Sequence, residues 1–565
     1  MSSKSKRAKQ ETIGKSKGLK AFSKIIVVAL FITCVAIVIN LAPNYIQQKT
    51  GNKTVLIINN NNVTTKLKKD MIIDENDVVY LSFEDIENFF DENIYYDEQY
   101  NQIITGSDSK LASIEIGQKQ MYVNSSKVNI YAEASKEGDT YYLPFSEMKN
   151  VYNVDIKYSK DSNIVTIDSL NREQKMGNIS NDSGVKYKPT TFSKTIEKVK
   201  KGDSIIVIDK EDGWYKVRTT AGNIGYLKDV TNIYVSRAAV EKEKQVEGKV
   251  SMVWDYFTHT APTRTGSIKG INVVSPSFVS LVQSGKGELL TRIGSEGQAY
   301  INWAHNNGYK IWTIISNDSL QDTTSEILND YKLRETLINN IVNLVITNNL
   351  DGINIDFENI KEADKNMLSR FTIELAPRLT EYDKVLSVDV TAPDGGENWS
   401  MCYDRHKLGQ VADYLVFMAY DQYGDSSSQA GTTAGADWIE VNLNKFVGTQ
   451  EDVEASKIIL GMPFYTRLWK ETASSTTKDV IYMKSIDSNI PSGVEKTWNE
   501  DLKQYYVEFQ RNAATYKMWI EDAESIKAKF DLMNKFKLGG AAYWQKDFES
   551  SDIWDIVETE INKWE

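Results

Sequence analysis

Apolar and polar positions change their period several times along the chain. Residues 25–42 are apolar throughout except for Thr33 and Asn40, a run close to the roughly 20 residues a helix needs to cross a bilayer core. From residue 248 onward, short apolar runs alternate with longer stretches of helical period. The strand-like runs are 250–257, 271–274, 310–315, 352–357, 385–391, 414–420, 458–462 and 540–544. Eight such strands with helical spacers predict a (β/α)8 TIM barrel over 248–565. The gap 464–538 is too long for one helix, so an insertion is expected before the last strand, with a hairpin through Tyr505-Tyr506-Val507 and Tyr516-Lys517-Met518-Trp519.

Ahead of the barrel, residues 50–170 repeat themselves at one offset of 62 residues. Tyr80-Leu81-Ser82-Phe83 matches Tyr142-Leu143-Pro144-Phe145, Ile94-Tyr95-Tyr96 matches Ile156-Lys157-Tyr158, and Asn101-Gln102-Ile103 matches Asn163-Ile164-Val165. A constant offset marks a duplicated α+β unit: strand, short helix near Phe83 or Phe145, then a hairpin turning at 97–99 or 160–162. The segment resembles the duplicated N-terminal domain of copper amine oxidases. It contains no histidine, so the resemblance implies a spacer or binding module and no copper. Residues 178–235 switch to short β-rich runs, among them Gly213-Trp214-Tyr215-Lys216-Val217 and Gly225-Tyr226-Leu227. They resemble a bacterial SH3 domain, a small β-barrel, and that resemblance implies a cell-wall peptide as its partner; Trp214 reads equally as a core residue. Residues 236–247, rich in Glu and Lys, read as a linker.

Charge changes the picture at the N-terminus. Residues 1–24 carry eight basic side chains against one acid, Glu11, the pattern of a tail that stays cytoplasmic beside a transmembrane signal anchor at 25–43. A cleaved signal peptide is the alternative; under either, the rest of the chain is exported. The whole chain carries −12, so everything beyond the basic tail is more acidic still. That argues against nucleic acid or anionic lipid as the outer partner and fits a neutral polymer. Of two cysteines, Cys34 falls in the anchor and leaves Cys402 alone outside, so no intrachain disulfide is expected.

The chemistry lies in Leu350-Asp351-Gly352-Ile353-Asn354-Ile355-Asp356-Phe357-Glu358. With a period of two, Asn354, Asp356 and Glu358 share one face of the strand and Ile353, Ile355 and Phe357 the other. In a barrel the polar face points inward, and acids at the C-terminal end of a barrel strand are where such folds keep catalysts. Asp351 falls outside that face and reads as structural support. The histidines, His259, His305 and His406, are too dispersed for a zinc site or a Ser-His-Asp hydrolase; no metal or cofactor is expected.

This run resembles the signature of the family 18 glycoside hydrolases, chitinase-like enzymes. Met418-Ala419-Tyr420-Asp421-Gln422-Tyr423-Gly424 is similar to that family's strand-six motif, Gly461-Met462-Pro463-Phe464-Tyr465-Thr466-Arg467-Leu468-Trp469 to its strand-seven motif, and Ala542-Tyr543-Trp544 stands where the family places the tryptophan under the cleaved sugar. The resemblance implies retaining, substrate-assisted hydrolysis of β-linked N-acetylglucosamine glycans. Glu358 would be the proton donor, Asp356 would hold the acetamido nitrogen and Tyr420 its carbonyl. Met418, Asp421, Tyr465, Arg467 and Trp544 would bind sugar. Asn354 stands where many relatives have Asp; losing that like charge should make Asp356 easier to ionise. With an SH3-like wall binder beside the barrel, peptidoglycan is the expected substrate and the cell membrane the expected place. The alternatives are a chitinase on chitin oligomers and a non-catalytic sugar-binding surface protein, which the presence of Glu358 disfavours.

Overall fold

The computed structural model describes residues 53–240, 244–393 and 395–563. They form two compact units, one of residues 53–85 and 144–240, the other of 86–143 and 244–563. The basic tail 1–24 and the apolar segment 25–43 lie outside the described residues. No helix among the described residues is long and apolar enough to cross a membrane.

Both copies of the repeat run through the same elements. The first has strand Val79–Ser82, helix Phe83–Phe89 and the hairpin Tyr95–Asp97 with Gln102–Ser107. The second has strand Thr140–Pro144, a 3-10 turn Phe145–Met148 and the hairpin Val154–Ser159 with Ile164–Ser169. The two hairpins fall in different units. In the first unit Ile164–Ser169 pairs in parallel with Val55–Ile58, and a seven-stranded sheet follows around Val185, Ile205, Val217 and Leu227. That sheet takes in Gln174–Ile179 and Val230–Arg237, reaching past both ends of the expected 178–235. Trp214 is buried in it. Arg218 makes a bidentate pair with Asp168, Nη1 donating to Oδ1 at 2.8 Å and Nη2 to Oδ2; both side chains are buried.

In the second unit eight parallel strands close a barrel: β1 Val250–Asp255, β2 Val273–Pro276, β3 Lys310–Ser316, β4 Gly352–Asp356, β5 Val385–Val390, β6 Tyr414–Met418, β7 Ile458–Pro463 and β8 Gly540–Trp544. Each pairs with the next and β8 returns to β1. The strands are apolar on both faces because both are covered. On β1, Val250, Met252 and Trp254 point into the barrel, where they meet Trp312, Ile314, Val416 and Ala542; Val253 points out to the helices. Closure demands glycine at Gly540, where a Cβ would stand 2.0 Å from the Val250 carbonyl oxygen. The insertion before β8 is a five-stranded sheet that includes the expected hairpin, Gln504–Arg511 with Ala514–Ile520.

The stretch read as a linker is shorter than 236–247. Its first two residues continue the strand Val230–Arg237, and at its other end Val246 is buried in the barrel interior while Gln245 Nε2 donates to the Asp351 carbonyl at 2.9 Å. Burial of the Val246 side chain offsets part of the entropy of ordering the chain there, and the Gln245 bond adds to it. Residues 95–129 add a five-stranded meander beside helices α1 (Tyr331–Thr347) and α2 (Lys365–Thr380). Tyr331 bonds Ser113 at 3.1 Å, and Arg370 donates to the Asn93 carbonyl at 2.8 Å.

Candidate active site

Asp356 is the last residue of β4 and Glu358 follows two positions on, at the C-terminal mouth of the barrel. Glu358 is fixed through its backbone. Asn317, fully buried just after β3, receives the Glu358 N–H at 3.0 Å on Oδ1 and donates from Nδ2 to the Glu358 carbonyl at 2.9 Å. Beneath, the Tyr403 hydroxyl donates to the Phe357 carbonyl at 2.8 Å. These bonds set the strand end that carries the two carboxylates. Asp356 Oδ1 is closed off from solvent with no hydrogen-bond partner among the described residues. Burial, the Glu358 charge, then Asp389 and Asp318 push the Asp356 carboxyl well above the usual carboxylate range. Burial, then the charge of Asp421, raises Glu358. Both shifts favour the protonated form of the acid, the form a proton donor needs.

Asn354 was expected to relieve Asp356 of a like charge, and the structure corrects that. Asn354 is fully buried between β1 and β5: its Oδ1 accepts from Trp254 Nε1 at 2.8 Å, and its Nδ2 donates to Ser387 Oγ at 3.1 Å and Asp389 Oδ1 at 2.7 Å. Asp389 brings a carboxyl from β5 to Asn354, itself pushed well above the usual carboxylate range by burial, so the acid missing from β4 is present one strand away. The signal in the sequence was the alternation Ser387, Asp389 in β5, the same period-two pattern that marks β4.

Aromatic rings line the mouth. Trp544, ending β8, lies 5.7 Å from Trp254, 5.8 Å from the half-exposed Tyr256 and 6.5 Å from Tyr420, centroid to centroid. Tyr420 follows β6 and is 6.2 Å from Tyr465; burial, then Asp389, raises its hydroxyl far above the ordinary phenol value. Asp421 accepts from the Tyr465 hydroxyl at 2.5 Å and from Arg467 Nη2 at 2.8 Å. Met418 is buried at the end of β6. The predicted residues Asn354, Asp356, Glu358, Met418, Tyr420, Asp421, Tyr465, Arg467 and Trp544 thus gather at one end of the barrel. Asp351 does not: it precedes β4 and accepts from His305 Nε2 at 2.9 Å and the Ile311 amide at 3.0 Å at the opposite end. Sequence reasoning missed Asn317, Trp254, Tyr256 and Asp389. Among the described residues no group of three or more His, Cys, Asp and Glu side chains could hold a metal ion.

Residues 251–549 match the glycosyl hydrolases of family 18, residues 57–167 the copper amine oxidase N-terminal domain and residues 185–231 the bacterial SH3 domain. The chain is 25% identical over 279 residues to the uncharacterized glycosylase YvbX of Bacillus subtilis (strain 168), covering 47% of this chain and 79% of that protein. It is 25% identical over 267 residues to the cortical fragment-lytic enzyme of the same organism, covering 45% of this chain and 59% of that protein. Among solved structures, the chitinase of Chromobacterium violaceum ATCC 12472 is 21% identical and covers 56% of this chain and 100% of its own, with a TM-score of 0.48.

Proposed function

Because the chain belongs to the glycosyl hydrolases of family 18, we propose that it hydrolyses β-linked N-acetylglucosamine glycans with retention, using the substrate's own acetamido group as nucleophile. The observation that carries this reading is the pair Asp356 and Glu358, both raised, at a mouth walled by Trp254, Tyr256, Tyr420 and Trp544. Glu358 gives its proton to the glycosidic oxygen as the C1–O bond breaks. The acetamido carbonyl oxygen closes on C1, and the resulting oxazolinium ring is held by Asp356 at its N–H and by the Tyr420 hydroxyl. Water then attacks C1, the oxazolinium C1–O bond breaks to return the acetamido group, and the water's proton passes to the Glu358 carboxylate, which restores the acid.

Peptidoglycan is the substrate we favour, on two supports: a bacterial SH3 module precedes the barrel in the same chain, and a cortical fragment-lytic enzyme is among the relatives. We place the protein at the outer face of a cell membrane, held by the apolar segment 25–43 behind its basic tail. The full-length protein, incubated with purified peptidoglycan and with chitin oligomers, should release reducing N-acetylglucosamine ends from the first, read by product mass. Glu358→Gln should lower turnover by about 10²–10⁴-fold while leaving sugar binding intact. Near-normal turnover in that variant defeats the assignment. Recovery of the full chain in the soluble fraction, or of a mature protein beginning after Ala42, defeats the anchor.

A further inference from the structure

The residues that follow Tyr420 are held from the inserted sheet. Asp421 accepts from the Tyr465 hydroxyl at 2.5 Å and from Arg467 Nη2 at 2.8 Å, both on the insertion's first strand, Tyr465–Glu471. The next two residues are tied through their backbones: the Gln422 amide donates to the Thr433 carbonyl at 3.0 Å and the Tyr423 amide to the Thr432 carbonyl at 3.2 Å. The loop leaves and returns at this pair. On its returning leg the Gly431 carbonyl accepts from Trp469 Nε1 at 2.8 Å. From Thr432 a chain of buried polar groups runs inward. The Thr432 hydroxyl donates to Gln504 Oε1, Gln504 Nε2 donates to Glu521 Oε1 at 2.6 Å, and Glu521 Oε2 accepts from Ser525 Oγ at 2.7 Å and Lys529 Nζ at 2.8 Å. Gln504 and Glu521 stand at the base of the hairpin Gln504–Arg511 with Ala514–Ile520, and Ser525 and Lys529 lie on the helix Ala523–Lys535 that precedes β8. All five side chains are buried.

Buried charges and amides are a weak source of stability, because desolvation takes back most of what their bonds supply and apolar residues of similar volume fill the same space as well. The hairpin already buries Val507, Met518 and Ile520 in the core. What a fully partnered polar chain adds is direction, fixing one arrangement of the groups at its ends. We propose that Gln504 and Glu521 are positioning residues of the reaction: through Thr432 they fix the returning leg of the loop, and with it the Gln422 and Tyr423 backbone that sets where the Tyr420 hydroxyl meets the acetamido carbonyl. They touch no substrate atom and act through Thr432.

The inference rests on the proposed hydrolysis, and the test keeps the two apart. On the full-length protein, kcat and KM are measured with a chromogenic N-acetylglucosamine oligomer, the dissociation constant of a thiazoline analogue by calorimetry, and the melting temperature on the same samples. Thr432→Val keeps the side chain's shape and removes the donor, whereas Thr432→Ser keeps the donor. Thr432→Val should lower kcat and thiazoline affinity by about 10–10²-fold, the effect of displacing a reacting group by up to about 1 Å, and Thr432→Ser should stay close to wild type. In a Tyr420→Phe background no hydroxyl remains to be placed, so Thr432→Val should change neither quantity there, while the melting temperature falls as much as it does beside Tyr420. Equal losses in the two backgrounds, no loss beside Tyr420, or a loss in Thr432→Ser that matches Thr432→Val overturns the inference. Gln504→Met breaks the chain one bond further in and supplies the same comparison should Thr432→Val not fold. Full activity in Glu358→Gln would instead overturn the underlying reading.

Discussion

Asn317→Ala tests how the acid is held. Asn317 is fully buried, and its side chain makes two hydrogen bonds to the backbone of Glu358, at 3.0 and 2.9 Å, donates to Thr324 at 3.1 Å and accepts from the Ser319 amide at 3.3 Å. Each buried bond contributes about 1 kcal/mol net, so the two to Glu358 are worth roughly 2 kcal/mol, and more where the Glu358 amide is left without water. The barrel should melt a few degrees lower. The larger effect is kinetic. Freed of its clamp, the strand end after Asp356 can drift, and a displacement of about 1 Å costs a reacting group on the order of 10²-fold in turnover. The assay is kcat and KM on a chromogenic N-acetylglucosamine oligomer, with thermal melting of the same samples, in wild-type and Glu358→Gln backgrounds. If Asn317 acts by placing the acid, its removal lowers kcat about 10²-fold in the first background and hardly at all in the second, where no acid remains to be placed, while the melting temperature falls in both. An equal loss of turnover in both backgrounds, or none in the first, refutes the reasoning.

An oligomer whose scissile-side sugar is glucosamine lacks the carbonyl that closes on C1, so turnover should collapse while binding persists, and a thiazoline analogue of the cyclised sugar should inhibit. Comparable rates on acetylated and deacetylated oligomers, or a covalent sugar trapped on a barrel carboxylate, would exclude substrate assistance. Asp356→Asn should abolish activity yet raise the melting temperature at neutral pH. The folded carboxyl holds its proton to higher pH than the unfolded one, so wild type loses stability as pH rises past about 4, and the variant's advantage disappears below that; pH-resolved melts showing no crossover would contradict the raised carboxyl. Arg218→Met leaves Asp168 buried without its cation and should destabilise the unit of residues 53–85 and 144–240 by about 3–5 kcal/mol in urea titration, with Asp168→Leu added in the same chain recovering much of it.

The order of strands and helices in the barrel was legible in the chain because strand runs buried on both faces are apolar and short, and helical spacers are not. The catalytic strand was legible because a period of two puts Asn354, Asp356 and Glu358 on one side. Its chemistry is written in nine consecutive residues, and the duplication at a fixed offset is written in the repeats themselves. What tertiary structure decided is which residues from other strands meet that face. Asp389 lies far from Asp356 in sequence, and only barrel closure, pairing β4 with β5 in register, brings its carboxylate to Asn354 and reverses the expectation that Asp356 ionises easily. Asn317 and Trp254 are ordinary residues at the ends of their strands until β3 and β1 place them against Glu358 and Asn354. The same holds for Val246 and the meander of residues 95–129, which look like linker and repeat but pack with the barrel. A local pattern can fix which way a side chain points, since that depends on its own backbone; what it points at depends on the neighbours that closure supplies, and so does its charge.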